Sequence, residues 1–187
     1  LTDIGEVVLA AGGAGNVVLF DKVLHLLLGE GVDGLGKLEA GLGAPVLDDL
    51  VGAEALVRWV QEDGTMLPPD RFIPLFEKNG DIIKLDKYVL EETCAKIRKW
   101  LDLGYDVSPI SVNVSLLQLL DENFVEDHIK TVEKYRIPLN LIEVEFTESI
   151  LAENESLLIS LTKQCKKHGI KVLLDDFGSG YSSLNML

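Results

Sequence analysis

The sequence predicts an α/β fold of the TIM-like (β/α) barrel class, and three observations carry that prediction. From residue 52 onward, short runs of β-formers alternate with helical patterns, as expected of parallel strands joined by right-handed crossovers. Glycines stand where the helical patterns stop, at Gly80, Gly104 and Gly169, and a glycine just past a helix is a frequent terminator. Finally, each strand has one apolar and one polar face, whereas parallel strands covered on both sides read as near-continuous apolar runs.

The elements follow in order. "VGAEALVRW" reads as a strand, and "DRFIPLFEKNG" as a short helix ended by Gly80. "DIIKLDKYVLEETCAKIRKWLDLG" is a long helix, with Leu85, Val89, Ile97 and Leu101 at helical spacing and Gly104 at its stop. "ISVNVS" is a strand, "FVEDHIKTVEKY" a helix and "LIEVEFTES" another strand. "ESLLISLTKQCKKHG" is a helix with Leu158, Leu161, Cys165 and His168 on one face, and "IKVLLDDF" is the last strand.

Residues 1–51 have a different texture. They hold ten of the seventeen glycines, two lysines, no arginine and a single aromatic, Phe20. "VVLAAGGAGNVVLF" suggests two short strands around a glycine turn, and residues 21–28 a short helix stopped by Gly29. Gly12, Gly13 and Gly15 do not complete a GxGxxG or GxxxxGK[ST] phosphate loop. The glycines at 29, 31, 34, 36, 41 and 43 read as linker or as a poorly specified segment. The expected division is therefore a glycine-rich segment at 1–51 and a barrel portion at 52–187.

The formal charge of −14 argues against a basic surface that grips nucleic-acid backbones, so no DNA partner is expected. A small anionic ligand would need a local cation, from an arginine or a bound metal. No apolar run approaches the ~18 residues that cross a bilayer, and no secretory signal pattern opens the chain. Cys94 and Cys165 lie on apolar helix faces without a CxxC or a companion cluster, so they read as structural thiols and a cytoplasmic location is expected.

The polar strand faces carry the chemistry. Ser111, Asn113 and Ser115 oppose Ile110, Val112 and Val114, and Glu143, Glu145 and Thr147 oppose Ile142, Val144 and Phe146. Glu54, Leu56 and Arg58 share one face of the first strand, and Lys171, Leu173 and Asp175 one face of the last. In a barrel such a face points inward, and its C-terminal rim is the mouth. Glu54, Asn113, Glu145 and Asp175 would crowd negative charge there. They form either a structural polar network or an all-oxygen donor set for a hard divalent ion, Mg²⁺ or Mn²⁺. Asp175 and Asp176 reach one site together only if the strand ends between them, as the following Phe177-Gly178-Ser179-Gly180 suggests.

Other polar residues read as structural. His25, His128 and His168 lack an acidic partner at telling spacing, and Ser115 and Thr147 lack a nearby histidine to activate them. Trp59 and Trp100 read as packing residues, and Lys171 begins its strand far from the mouth. Glu143 is either a supporting neighbour of Glu145 or a partner of Lys171.

Glu54-Ala55-Leu56 with Arg58, "SVNVS" at 111–115, "EFTES" at 145–149 and "DDFGSGYSSL" at 175–184 together resemble the EAL domain, a family of cyclic di-GMP phosphodiesterases. "LPPDRFIPLFEKNGDI", Leu67 to Ile82, is similar to that family's early helix. The intervals 54→113→145→175 are 59, 32 and 30 residues, the last two being one βα repeat each. The resemblance implies metal-dependent hydrolysis of cyclic di-GMP to linear pGpG by metal-activated water, with two ions lowering the water's pKa. It assigns Glu54, Asn113, Glu145 and Asp175 to the metals, with Asp176 at the second ion. Arg58 would clamp a phosphate and Leu56 line the ligand groove. Glu148 would anchor the loop that holds Phe177, Gly178, Ser179, Gly180 and Tyr181, which in this family links metal binding to dimer contacts. A homodimer and an upstream sensory or GGDEF-type domain are the partners it implies.

The sequence departs from the family pattern at both ends. Ala44-Pro45-Val46-Leu47 is a weak echo of the family's first strand. The lysine, the general-base glutamate and the glutamine of the family's later strands have no matching position. The expectation is therefore about half of an EAL-type barrel, strands two to five, with little turnover from these residues alone. Residues 1–51 would be an upstream remnant, or would supply strands in an altered order. Two alternatives stay open: an inactive EAL-type receptor or interaction module, and an unrelated two-metal phosphatase.

Overall fold

A computed structural model describes residues 7–11, 52–60 and 65–175. In chain order it contains strands β1 (Val7–Ala11), β2 (Ala53–Val57), β3 (Trp59–Val60) and β4 (Met66–Leu67), then helices α1 (Pro69–Asn79) and α2 (Ile82–Asp102). Strand β5 (Ile110–Asn113), helices α3 (Leu116–Leu119) and α4 (Phe124–Lys134), strand β6 (Ile142–Thr147), helix α5 (Glu148–Lys167) and strand β7 (Lys171–Asp175) complete it.

Five strands form one sheet in the order β1-β2-β5-β6-β7. The β2–β5, β5–β6 and β6–β7 pairs are parallel, as the helical connections require. Strand β1 runs antiparallel to β2, with Val7 opposite Val57 and Ala11 opposite Ala53. The place beside β2 is thus taken by Val7–Ala11. The expected echo at 44–47, the second N-terminal strand and the helix at 21–28 lie outside the described residues.

Local chemistry explains the helix ends. Pro69 opens α1 at its first turn, where a missing N–H costs nothing. Gly80, Gly104 and Gly169 have φ of 80°, 83° and 79°, the left-handed conformation that ends a helix and that glycine adopts without strain. Helix α5 starts earlier than the sequence pattern suggests, at Glu148, and kinks at Asn154 (φ −135°, ψ 34°). The Asn154 amide donates to the Ile150 carbonyl at 3.2 Å, so a side chain engages a carbonyl beside the break. The helix expected at 155–169 is the portion beyond this kink.

Two apolar clusters cover the helix side of the sheet. Phe72, Leu85, Cys94, Ile97, Val112 and Ile142 belong to the first, and Val114, Phe124, Phe146, Leu158 and Cys165 to the second. Both cysteines are buried and free, as expected. The first strand is shorter than the sequence suggests: after Val57 the chain turns into a β3–β4 hairpin that the sequence did not reveal. There Trp59 packs edge-on against Phe72, with 5.5 Å between ring centroids, and lies 5.9 Å from Phe76. The packing roles of Trp59 and of Trp100, which is buried, hold.

Candidate metal and phosphate site

The polar faces of β2, β5, β6 and β7 meet as the alternation predicts, but the strands are staggered. Glu54 is level with Ser111, Asn113 with Glu145, and Thr147 with Asp175. From Glu54 to Asn113 the donors climb two residues, from Asn113 to Glu145 none, and from Glu145 to Asp175 two more. A (β/α)₈ barrel climbs about one residue per strand, its shear being about eight over eight strands. Because a side-chain face repeats every second residue, the climb must come in steps of two or zero. The four donors therefore follow one height around the barrel axis rather than one row of register.

The Asn113 amide Nδ2 donates to Glu54 Oε1 at 2.7 Å, a diagonal contact between β5 and β2. Glu145 is 9 % exposed, and its carboxyl is pushed above the usual range. Burial is the largest cause; a hydrogen bond from Ser111 opposes it, and the charges of Glu54, Asp175 and Glu143 add to the rise. One layer below, Glu143 pairs with Lys171 at 3.0 Å, which decides between its two expected roles.

Among the described residues, no three His, Cys, Asp or Glu side chains stand close enough together to form a metal-holding group. Glu54 and Asp175 each act on Glu145 through their charges. Carboxylates repel at short range unless a cation or proton lies between them, and an all-oxygen set with this excess of negative charge fits a hard divalent ion. Asp176, Phe177, Gly178, Ser179, Gly180 and Tyr181 lie outside the described residues. Glu148 is buried at the first position of α5.

A cavity of about 410 Å³ opens beside these strand ends, and Leu56, Arg58 and Asn113 border it. Arg58 donates from Nη1 to its neighbour's carbonyl, Val57 O, at 2.8 Å, one of the five N–H donors a guanidinium offers. Phe146 contributes to the apolar wall. The sequence had placed Arg58 and Leu56 on one face of β2; the structure adds that Arg58 lies just beyond the strand.

The family model for the EAL domain matches residues 45–187. This chain belongs to the EAL domain family. It is 40 % identical over 142 residues to the signaling protein YkoW of Bacillus subtilis, covering 74 % of this chain and 17 % of that protein. It is 37 % identical over 134 residues to the cyclic di-GMP phosphodiesterase PdeR of Escherichia coli, covering 72 % and 20 %. Its fold matches the structure of the PaMucR phosphodiesterase in complex with c-di-GMP at a TM-score of 0.67 and 33 % identity, over 73 % of this chain and 55 % of that one. The chain thus spans about a fifth of the length of these curated relatives, and the sheet is part of a TIM-like EAL barrel.

Two further residues of this EAL chain bear on the site. Ser111 is buried beneath Asn113, its hydroxyl donates to the Ala53 carbonyl at 3.4 Å, and it lies close enough to Glu145 to favour that carboxyl's charged form. Asp86, on α2, accepts from Ser115 N–H at 3.0 Å and Ser115 Oγ–H at 2.6 Å. Burial raises the Asp86 carboxyl to about 6 against the pull of both Ser115 bonds, with the Glu77 charge adding to the rise. No sequence pattern points to that pair, because the partners are 29 residues apart on different elements. It also corrects the expectation for Ser115: β5 ends at Asn113, and Ser115 has left the inward strand face to cap α3. The histidines fit their structural reading where described. His128 is buried, with its pKa pushed down to about 4 by that burial, and His168 is the cap residue after α5.

Proposed function

We propose that this chain is part of a phosphodiesterase that hydrolyses cyclic di-GMP to linear pGpG with the help of divalent metal ions, Mg²⁺ or Mn²⁺. The observation that carries the reading is the stagger of Glu54, Asn113, Glu145 and Asp175, which lines four oxygen donors along one height of the barrel. These residues would hold the first ion and Asp176 the second. When bound, the ions supply an acidified water and positive charge for the phosphoryl oxygens.

The chain's own groups do the rest. Arg58 binds a phosphate of the ligand at the cavity edge, and Leu56 gives it an apolar wall. Asn113 orients Glu54 through its amide, and Ser111 holds Glu145. Glu148 anchors the loop of residues 177–181. Relatives support this reading: PdeR is named a cyclic di-GMP phosphodiesterase, and MucR of Pseudomonas aeruginosa a bifunctional diguanylate cyclase and cyclic di-GMP phosphodiesterase. We extend the reading to a homodimer formed through the EAL domain, an upstream sensory or GGDEF-type domain, and a cytoplasmic location. No helix among the described residues is long and apolar enough to cross a membrane.

The test is hydrolysis of cyclic di-GMP by the full-length protein with Mg²⁺, with Mn²⁺ and with EDTA. Metal-dependent formation of pGpG, abolished by Glu54→Ala, is the expected result. Binding in EDTA without turnover in either metal would replace the enzyme with a receptor.

A further inference from the structure

We propose that Asp86 is a positioning residue for this site: from helix α2 it fixes the turn that presents Asn113, and through Asn113 the carboxylate of Glu54. The proposal rests on the reading of Asn113 and Glu54 as metal-holding residues.

The connection is continuous. Asp86 follows Leu85 and precedes Val89 on α2, both buried in the first apolar cluster, so the carboxylate is carried by a packed helix. Its Oδ2 accepts both the backbone N–H and the hydroxyl of Ser115, at 3.0 and 2.6 Å. Bonds to a carboxylate are among the stronger ones, and two of them define a direction. Ser115 Oγ in turn accepts Gln118 N–H at 3.4 Å and so caps α3.

Ser115 lies two residues beyond Asn113. Between them, Val114 N–H donates to the Glu145 carbonyl at 2.9 Å. The backbone leaving Asn113 is thus held by β6 at one residue and by Asp86 at the next. Asn113 itself is exposed, and its amide reaches Glu54 Oε1 at 2.7 Å. A side chain this open takes its direction from its backbone, and α2 holds that backbone where it leaves the strand. Burial of the Asp86 carboxyl costs stability, as its raised pKa records.

Four variants of the full-length protein separate the possibilities, with Mn²⁺ binding followed by calorimetry without substrate and kcat and KM measured with cyclic di-GMP. Asp86→Ala should weaken Mn²⁺ binding about tenfold, the scale on which groups supporting metal ligands act. It should lower kcat similarly and change KM far less. Asp86→Asn should restore most of both, because one amide oxygen can accept both Ser115 donors. Ile97→Ala, which opens the apolar packing farther along α2, should lower Tm without moving Mn²⁺ binding. Mn²⁺ affinity unchanged in Asp86→Ala but lost in Asn113→Ala would overturn the positioning role alone. Asp86→Asn as defective as Asp86→Ala would overturn it too, since charge rather than the bonds to Ser115 would then matter. An Asn113→Ala variant that binds Mn²⁺ normally would overturn the metal reading and this proposal with it.

Discussion

Lys171 Nζ lies 3.0 Å from Glu143 Oε1, and the two residues are level in the β6–β7 register. The Glu143 side chain is 11 % exposed and that of Lys171 65 %. The lysine therefore brings a solvated charge to a carboxylate that has lost most of its water. Lys171→Met leaves that carboxylate uncompensated, and the expected loss is about 1 kcal/mol, since one partner stays in solvent. Urea unfolding at neutral pH checks it; a midpoint equal to wild type would mean that the pair contributes nothing.

Glu54→Gln should trade function for stability. The glutamine keeps an oxygen for the Asn113 amide but removes one of the charges that raise the Glu145 carboxyl. In EDTA the variant should melt slightly higher than wild type, by about 0.5 kcal/mol of relieved repulsion. Added Mn²⁺ should raise the melting temperature of the wild type and much less that of the variant. A lower melting temperature in EDTA would show that the carboxylates are already relieved by something else.

Two buried groups give stability opposite slopes with pH. The unfolded chain protonates His128 near 6.5, the folded one only at about 4. Its contribution is complete above pH 6.5 and is lost as pH falls through about 4, at most about 3 kcal/mol. For Asp86 the folded value is about 6 against 3.8 unfolded; its contribution is present below 3.8 and is lost as pH rises through 6. Unfolding free energies measured between pH 4 and 8 should show a flatter acid limb in His128→Leu and a flatter limb between pH 4 and 6 in the opposite sense in Asp86→Asn. Parallel curves for all three proteins would refute both assignments.

Thiol reagents should find the two cysteines slow. Burial pushes Cys94 up to about 12 and Cys165 up to about 11, so almost no thiolate exists at pH 8. Modification should proceed at the rate of opening and accelerate sharply in denaturant. Stoichiometric labelling within seconds in buffer would show that one of these helices does not pack as described.

The sequence alone determined what depends on near neighbours along the chain. Period-two alternation marked β2, β5, β6 and β7, and helical spacing with a closing glycine marked α1, α2 and α5. Four ordered motifs then gave the family. Each of these signals is local, because side-chain period and left-handed glycine are properties of a few consecutive residues. Tertiary structure decided what depends on distant partners. Ser115 alternates like a strand residue, yet Asp86, 29 positions earlier, draws it into a cap. Val7–Ala11 is any apolar run until β2 offers it an antiparallel edge. Register, too, belongs to the sheet: no single strand shows that Glu54, Asn113, Glu145 and Asp175 climb in steps of two, none and two. Alternation fixes which face a donor occupies, but its height is set by how each strand slides against the next, and that is settled by packing across the whole layer.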